Sequence, residues 1–311
     1  MDASSREKLL EALKHSIPKK QIFENAPMSR YTTLRLGGPA DVLVQIASVE
    51  QLSSAYAAAR DAGAEVRVLG NGSNLLIRDG GVRGLVLQLG ELFSEVSDPV
   101  PLPDGRVALT AQGGATLQKL CNAAADHALS GLEFASGIPG TVGGAVYMNA
   151  GAYGGEIKDV LTAVTFLDEN LHLQTLPVQE LQLGYRTSIF ERCSWCILEA
   201  EFTLHPGDAQ EIHTAMQEYM RRRKEKQPLE YPSAGSTFKR PVGQFAGKLI
   251  EDCGLRGFRV GGAAISEKHC GFVVNLGNAT CADVVSLTEQ VRQIVLEKTG
   301  CTLEREIRVV E

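Results

Sequence analysis

No stretch of this chain approaches the ~18 consecutive apolar residues that a membrane-spanning helix needs. It also lacks a long basic stripe: 31 Lys and Arg against 37 Asp and Glu give a formal charge of −6. The first absence argues against membrane insertion, and the second against a nucleic-acid partner. The one basic cluster, Arg221-Arg222-Arg223-Lys224, reads either as a solvated helix end or as a seat for an anionic headgroup. A second cysteine pair is missing too. Cys193 and Cys196 form a lone CxxC among seven scattered cysteines, without zinc spacing, and they precede the strand-like Cys196–Ala200 instead of opening a helix. They are expected to be reduced and structural. The charged, amphipathic segment Met1–Pro18 has neither the apolar core nor the small-residue cleavage site of a signal peptide, so a cytoplasmic location is expected. Without secretion, the glycosylation patterns at Asn71-Gly72-Ser73 and Asn278-Ala279-Thr280 carry no meaning.

What is present suits a globular protein of ordinary composition. A length of 311 residues allows two domains, or one large domain with an insertion. Apolar spacing predicts a helix over 4–17, a strand over Asp41–Ile46, a helix from Val49 to Ala62 with Ser48 as its cap, and a strand over Glu65–Leu69. Leu75–Ile77 and Leu85–Leu87 read as short strands split by the turn Asp79-Gly80-Gly81. A strand follows over Arg106–Thr110, then a helix from Thr116 to His127. Val160–Leu167, Leu171–Leu176 and Trp195–Leu204 read as antiparallel strands, with Asp168-Glu169-Asn170 as a hairpin turn. His205-Pro206-Gly207-Asp208 breaks the pattern, and Asp208 can cap a helix running to about Lys226. Beyond it come a helix over Phe245–Cys253, a strand over Phe272–Asn275, a helix over Ala282–Thr299 and an alternating strand over Thr302–Val310. The expected division is a region 1–206 with subdomains of about 20–70 and 71–206, a domain 207–300, and a terminal strand 301–311.

Two glycine-rich runs stand out: Gly70-Asn71-Gly72-Ser73-Asn74 after a strand, and Gly137-Ile138-Pro139-Gly140-Thr141-Val142-Gly143-Gly144 ahead of a helix. Backbone N–H groups converging in such turns hold phosphate oxygens, and small residues let the backbone approach. Neither run has the Gly-x-Gly-x-x-Gly pattern with its downstream acid, nor the Gly-Lys-Ser/Thr of a P-loop. Three further stretches carry chemistry: Tyr185-Arg186-Thr187-Ser188, Gly235-Ser236-Thr237-Phe238-Lys239 and Glu304-Arg305-Glu306-Ile307-Arg308. A cation, a hydroxyl and a carboxyl are what a site needs to hold charge developing on a carboxylic acid and to protonate the neighbouring carbon. Each alone is ordinary: a surface arginine, a turn serine, a strand-face ion pair.

With Tyr31-Thr32-Thr33-Leu34-Arg35-Leu36-Gly37-Gly38, Asn71–Leu76, Gly137–Ala145 and Asn149-Ala150-Gly151-Ala152-Tyr153-Gly154, the chain resembles the UDP-N-acetylenolpyruvoylglucosamine reductase family, also called UDP-N-acetylmuramate dehydrogenases. The resemblance runs from about Ile22 to the C-terminus. It implies an α+β protein with a two-subdomain FAD-binding fold of the vanillyl-alcohol oxidase type, plus a smaller α/β substrate-binding domain. It implies non-covalent FAD, reduced by NADPH, and transfer of hydride to the enolpyruvyl ether of UDP-N-acetylglucosamine in peptidoglycan precursor synthesis. No histidine lies in either glycine run to anchor flavin covalently.

Carried over by motif, Arg186, Ser236 and Glu306 are the implied catalytic residues: charge stabiliser, proton donor, and assistant to the enolate. Ser236 is a weak acid and needs a cation nearby, for which Lys239 and Arg240 are candidates. Glu306 would help either protonated by desolvation or by orienting Arg186. The implied cofactor residues are Asn71, Gly72, Ser73, Asn74, Leu75, Gly137, Ile138, Gly140, Thr141, Val142, Gly143, Gly144, Asn149, Ala150 and Gly151. The implied substrate residues are Tyr185, Lys226, Lys239, Arg240 and Arg308. Arg240 stands where the family often has asparagine. The chain resembles the family's shorter type, with no room after Tyr153 for an extra tyrosine-bearing loop, so closure over substrate must come from elsewhere. No metal is implied, and a monomer is expected. Two other readings remain at this point: another flavin oxidase or dehydrogenase of the same fold, and a nucleotide-binding module in which the three stretches do not converge.

Overall fold

The computed structural model describes residues 1–310. Helices form where apolar spacing and caps coincide. Ser48, Thr116 and Asp208 each accept a backbone N–H from three residues on, opening α2 (Val49–Asp61), α3 (Leu117–Asp126) and α5 (Ala209–Lys226). Such a cap is worth ~1 kcal/mol. Before α2 lies α1 (Ala3–Ser16), and between α3 and α5 lies the short α4 (Val142–Tyr147). The last two are α6 (Ala246–Asp252) and α7 (Cys281–Thr299). A capping box between Thr280 and Asp283 starts α7.

The first sheet places Ile22–Pro27, Pro39–Ile46, Val82–Leu89 and Val66–Leu69 side by side; the first pair is antiparallel and the others parallel. Strand alternation buries both faces. Val42, Val44, Ile46, Leu85 and Leu87 meet Leu9, Leu13, Leu52 and Ala55 of α1 and α2, while Ala40, Leu43 and Val86 face Met28 and Ile77. The second sheet runs Leu173–Pro177, Leu161–Leu167, Cys196–Pro206, Val107–Gln112 and Val100–Pro101. Its core joins Val164, Phe166, Ala200 and Phe202 to Leu117, Leu120, Val142 and Val146. The third orders Ser233–Ser236, Phe272–Asn275, Ala263–Ile265 and Arg259–Val260, covered by α6 and α7.

Four expectations change. The turn at Asp79 forms, with Gly81 N–H donating to Arg78 O at 2.9 Å, but its flanking strands do not pair with each other. Val82–Leu89 becomes a central strand of the first sheet, and Leu75–Ile77 instead pairs in parallel with Arg308–Val310. The first sheet thus extends to Leu89, so a subdomain border at 70–71 would cut it. The helix α5 buries Ile212 and Met216 in the second core, so it packs on the sheet that precedes the expected break at 206–207. Finally, the terminal strand is only Arg308–Val310, with an isolated bridge from Arg305 to Phe238. Strands over Ile22–Pro27, Ser233–Ser236, Arg259–Val260 and Ala263–Ile265 lay outside the sequence reading. They are short or interrupted by proline and glycine, which weakens the period-two signal.

Candidate active site

The two glycine runs lie against each other. Asn71 Nδ2 donates to Pro139 O at 2.6 Å, and a Cβ on Gly70 would sit 2.3 Å from Thr141 Oγ1. Only glycine permits that approach. The second run differs from its expected role as a row of free donors. Val142 N–H is bonded to Ala115 O and Gly143 N–H to Gly113 O, both at 2.8 Å, while Thr141 Oγ1 accepts from Gly144 N–H at 3.3 Å. Those three residues shape the wall and hold α4; they do not offer free N–H groups.

The first run leads directly to the C-terminal segment. Asn74 Nδ2 donates to Glu306 O at 3.1 Å, and Asn74 O accepts from Arg308 N–H at 3.0 Å. The same segment is pinned from its other side: Lys239 N–H donates to Glu304 O, and Glu306 N–H to Thr237 O, both at 2.8 Å. Glu306 is thereby fixed between the glycine loop and the Ser236 strand.

Arg186 reaches Glu306 from a third direction. It lies in a turn closed by reciprocal bonds between Gly184 and Thr187, with φ of +56°. That left-handed conformation is uncommon for arginine. Its Nε donates to Glu306 Oε1 at 2.8 Å, Nη2 to Gly151 O at 3.1 Å and Nη1 to Asn149 O at 3.5 Å. Both side chains are mostly buried, 18% and 14% exposed. Burial pushes the Glu306 carboxyl above its ordinary range, while the Arg186 guanidinium pulls it back down, helped by Lys239 and Arg240.

Ser236 follows Gly235, whose φ of +77° suits a residue without a side chain. It is exposed on the wall of a cavity of about 410 Å³ that Arg186 and Glu306 also line. Three stretches 50 to 120 positions apart in sequence therefore share one pocket. Among the implied substrate residues, Tyr185 and Arg240 line it as well. Tyr185 Oη accepts from Arg240 N–H at 3.0 Å, and the Arg240 guanidinium lies 4.8 Å from the Phe245 ring centre.

Lys226, Lys239 and Arg308 are not part of this wall. Lys239 Nζ is bound to Glu304 at 2.6 Å, so it is diverted from helping Ser236. Arg308 does not pair with Glu306, because the bend at Ile307 turns the two apart; it meets Glu191 and lies over the Tyr147 ring. Lys226 ends α5. Conversely, Phe245, Lys248, Arg256, Lys268 and His269 line the cavity without having been singled out. The one sequence signal for them was the charged run Glu267-Lys268-His269 just ahead of an apolar strand. His269 Nδ1 accepts from Gly271 N–H at 3.0 Å, and burial lowers its pKa, so its neutral ring carries the proton on Nε2.

All seven cysteines are free thiols. Cys196 is buried and pushed up to about 12 by desolvation, in keeping with a structural part. Among the described residues there is no cluster of metal-ligating side chains, and no helix is long and apolar enough to cross a membrane.

Comparison with known proteins adds to this geometry. Residues 40–176 match the family profile of an FAD binding domain, and residues 227–310 that of a UDP-N-acetylenolpyruvoylglucosamine reductase, C-terminal domain. The chain is 47% identical over 302 residues to a UDP-N-acetylenolpyruvoylglucosamine reductase of Caldanaerobacter subterraneus, covering 97% of this chain and 98% of the relative. It is 46% identical to one of Staphylococcus haemolyticus, covering 98% and 97%. The crystal structure of a UDP-N-acetylenolpyruvylglucosamine reductase from Thermus caldophilus superposes with a TM-score of 0.78 at 38% identity, covering 93% of this chain and 98% of that one.

Proposed function

This chain belongs to the UDP-N-acetylenolpyruvoylglucosamine reductase family, and from that premise we infer how its pocket works. The protein is a flavin-dependent oxidoreductase that reduces the enolpyruvyl ether of UDP-N-acetylglucosamine to UDP-N-acetylmuramate, a precursor of peptidoglycan. NADPH is read as the hydride donor. The observation that carries the mechanism is the meeting of Arg186, Ser236 and Glu306 in one cavity.

FAD fits the residues present. Arg223 and Arg308 each keep a buried Nε–H without an acceptor. Arg223 packs against Gly137 of the second glycine run, and Arg308 is bonded through its backbone to Asn74 of the first. Two guanidinium groups with unmet donors beside adjoining glycine loops suit an anionic cofactor. Residues 71–75 and 137–141 would hold it non-covalently. When bound, FAD accepts hydride from NADPH and passes it to the enolpyruvyl double bond.

The protein's own part is charge and a proton. Arg186 has five N–H donors, and three are spent on Glu306, Asn149 and Gly151, leaving two for substrate carboxylate oxygens. Negative charge that grows there during hydride addition meets a fixed cation. Glu306 orients that cation, and its buried carboxyl costs least when it shares or takes up a proton. Ser236 gives its hydroxyl proton to the adjacent carbon, completing addition of two hydrogens across the double bond. Arg240, over Phe245 at the pocket wall, is the cation left to support it. The region to Lys226 binds cofactor, the unit beyond binds the nucleotide sugar, and Glu306 comes from the returning end. A monomeric state and a cytoplasmic location belong to the same reading.

The test uses colour. Purified protein is expected to be yellow and to release flavin on acid precipitation. NADPH should bleach it anaerobically, and the enolpyruvyl nucleotide sugar should restore the oxidised spectrum. A bleached protein that the sugar cannot reoxidise would sink the assignment.

A further inference from the structure

Asn149 was expected to touch the cofactor, yet its side chain is completely buried and its amide is used inside the protein. Nδ2 donates to Glu156 Oε2 at 3.1 Å and to Gly184 O at 2.9 Å, while Oδ1 accepts from Lys158 N–H at 3.0 Å. Both amide donors are spent, so none remains for a ligand. The residue itself adopts φ of +41°, a conformation asparagine tolerates better than most. Its main-chain carbonyl faces Arg186 Nη1, and two residues on Gly151 O holds Nη2.

The two contacts grip Arg186 at both ends. Gly184 belongs to the turn that holds Arg186 in its left-handed backbone, and the carbonyls of Asn149 and Gly151 fix the plane of the guanidinium. Glu156 completes the support: it receives Asn149 Nδ2 and is paired with Lys158 at 2.7 Å.

We propose that Asn149 is the positioning residue for Arg186, tying the turn that carries it and the peptide groups that aim it into one rigid corner. The inference rests on the reading of Arg186 as the carboxylate-binding cation. It assigns Asn149 to the substrate-reducing step and withdraws it from flavin binding. A misplacement of about 1 Å costs up to ~100-fold in rate, so the corner matters even though Asn149 touches no reacting atom.

The experiment separates the half-reactions of the holoenzyme. Asn149→Ala is expected to keep its FAD and its rate of reduction by NADPH within about twofold, and to slow reoxidation by the enolpyruvyl sugar roughly 10- to 100-fold. Arg186→Lys alone should also slow reoxidation, and adding Asn149→Ala to it should cost no more than about twofold further, because coupled residues are not additive. If Asn149→Ala does not fold, Glu156→Ala removes one anchor of the same amide; a smaller slowing is expected, with the same non-additivity. Loss of FAD, equal slowing of both half-reactions, or multiplying effects in the double variant would each overturn the proposal. Titration of Glu306 by NMR gives a readout independent of turnover. Its neighbours are Arg186, Lys239 and Arg240, and with Arg186 adrift its pKa should rise in Asn149→Ala. An unchanged Glu306 would overturn the positioning role, whereas failure of the unmodified enzyme to use the sugar would sink the functional reading alone.

Discussion

The two ends of the pocket are built differently. At one end Arg186, Glu306 and Asn149 are largely buried, and their hydrogen bonds knit together five separate segments, around Asn74, Asn149, Gly184, Thr237 and Glu306. At the other, Phe245 is 62% exposed, beside the exposed cation Arg240. The closed end is held by the protein's own hydrogen bonds, which is what charge stabilisation requires, since reorganising dipoles during reaction costs the energy they would supply. The open end leaves apolar surface in water that a bound nucleotide sugar could cover, at roughly 25 cal/mol per Å². Chemistry is preorganised here, and binding is left to complete itself.

Substitutions should rank by how directly each side chain serves the chemical step. Ser236→Ala is expected to have the largest effect, slowing flavin reoxidation by substrate ~100- to 10,000-fold while flavin reduction by NADPH stays near normal. Stopped-flow measurement of the two steps checks this, and a fully active variant would exclude Ser236 as proton donor. Next comes Arg186→Lys. A lysine keeps the charge but not the planar fork, so the same step should lose on the order of 100-fold. Glu306→Gln probes the corner through pH. Burial raises the Glu306 pKa above its unfolded value of 4.5, so the folded state holds the extra proton between those two pKa values, and stability contributed by this group falls as pH rises through that window. Relative to Glu306→Gln, the unmodified protein should lose melting temperature as pH climbs above 4.5; parallel curves would mean that the carboxyl is not strained. The smallest effect is expected at the open end. Phe245→Ala should raise KM for the sugar up to ~10-fold with kcat little changed; an equal fall in kcat would show that the open end, too, serves the chemical step.

The sequence and the structure diverge where pairing is long-range. Caps at Ser48, Thr116 and Asp208 were legible because capping is a three-residue affair. The strand Leu75–Ile77 was legible as a strand, but its partner Arg308–Val310 lies over 200 residues away, and no local signal says which of several apolar runs will pair. The helix α5 was legible as a helix, but its packing on the second sheet was not, because Pro206-Gly207 marks a turn without saying where the chain packs next. Lys239 and Arg308 had the right charge for a substrate site and were claimed by Glu304 and Glu191. Asn149 was picked out by its motif, yet the motif cannot tell a ligand contact from an internal brace.

By itself the amino-acid order determined the family, the glycine turns and the three residues proposed to do the chemistry, because these depend on residue type at short spacing. Only the tertiary structure decided that Glu306 braces Arg186, that α4 uses up its own first donors, and that Asn149 faces inward. Hydrogen bonds are short and directional, so which acceptor a donor reaches is known only once distant backbone has been brought within about 3 Å.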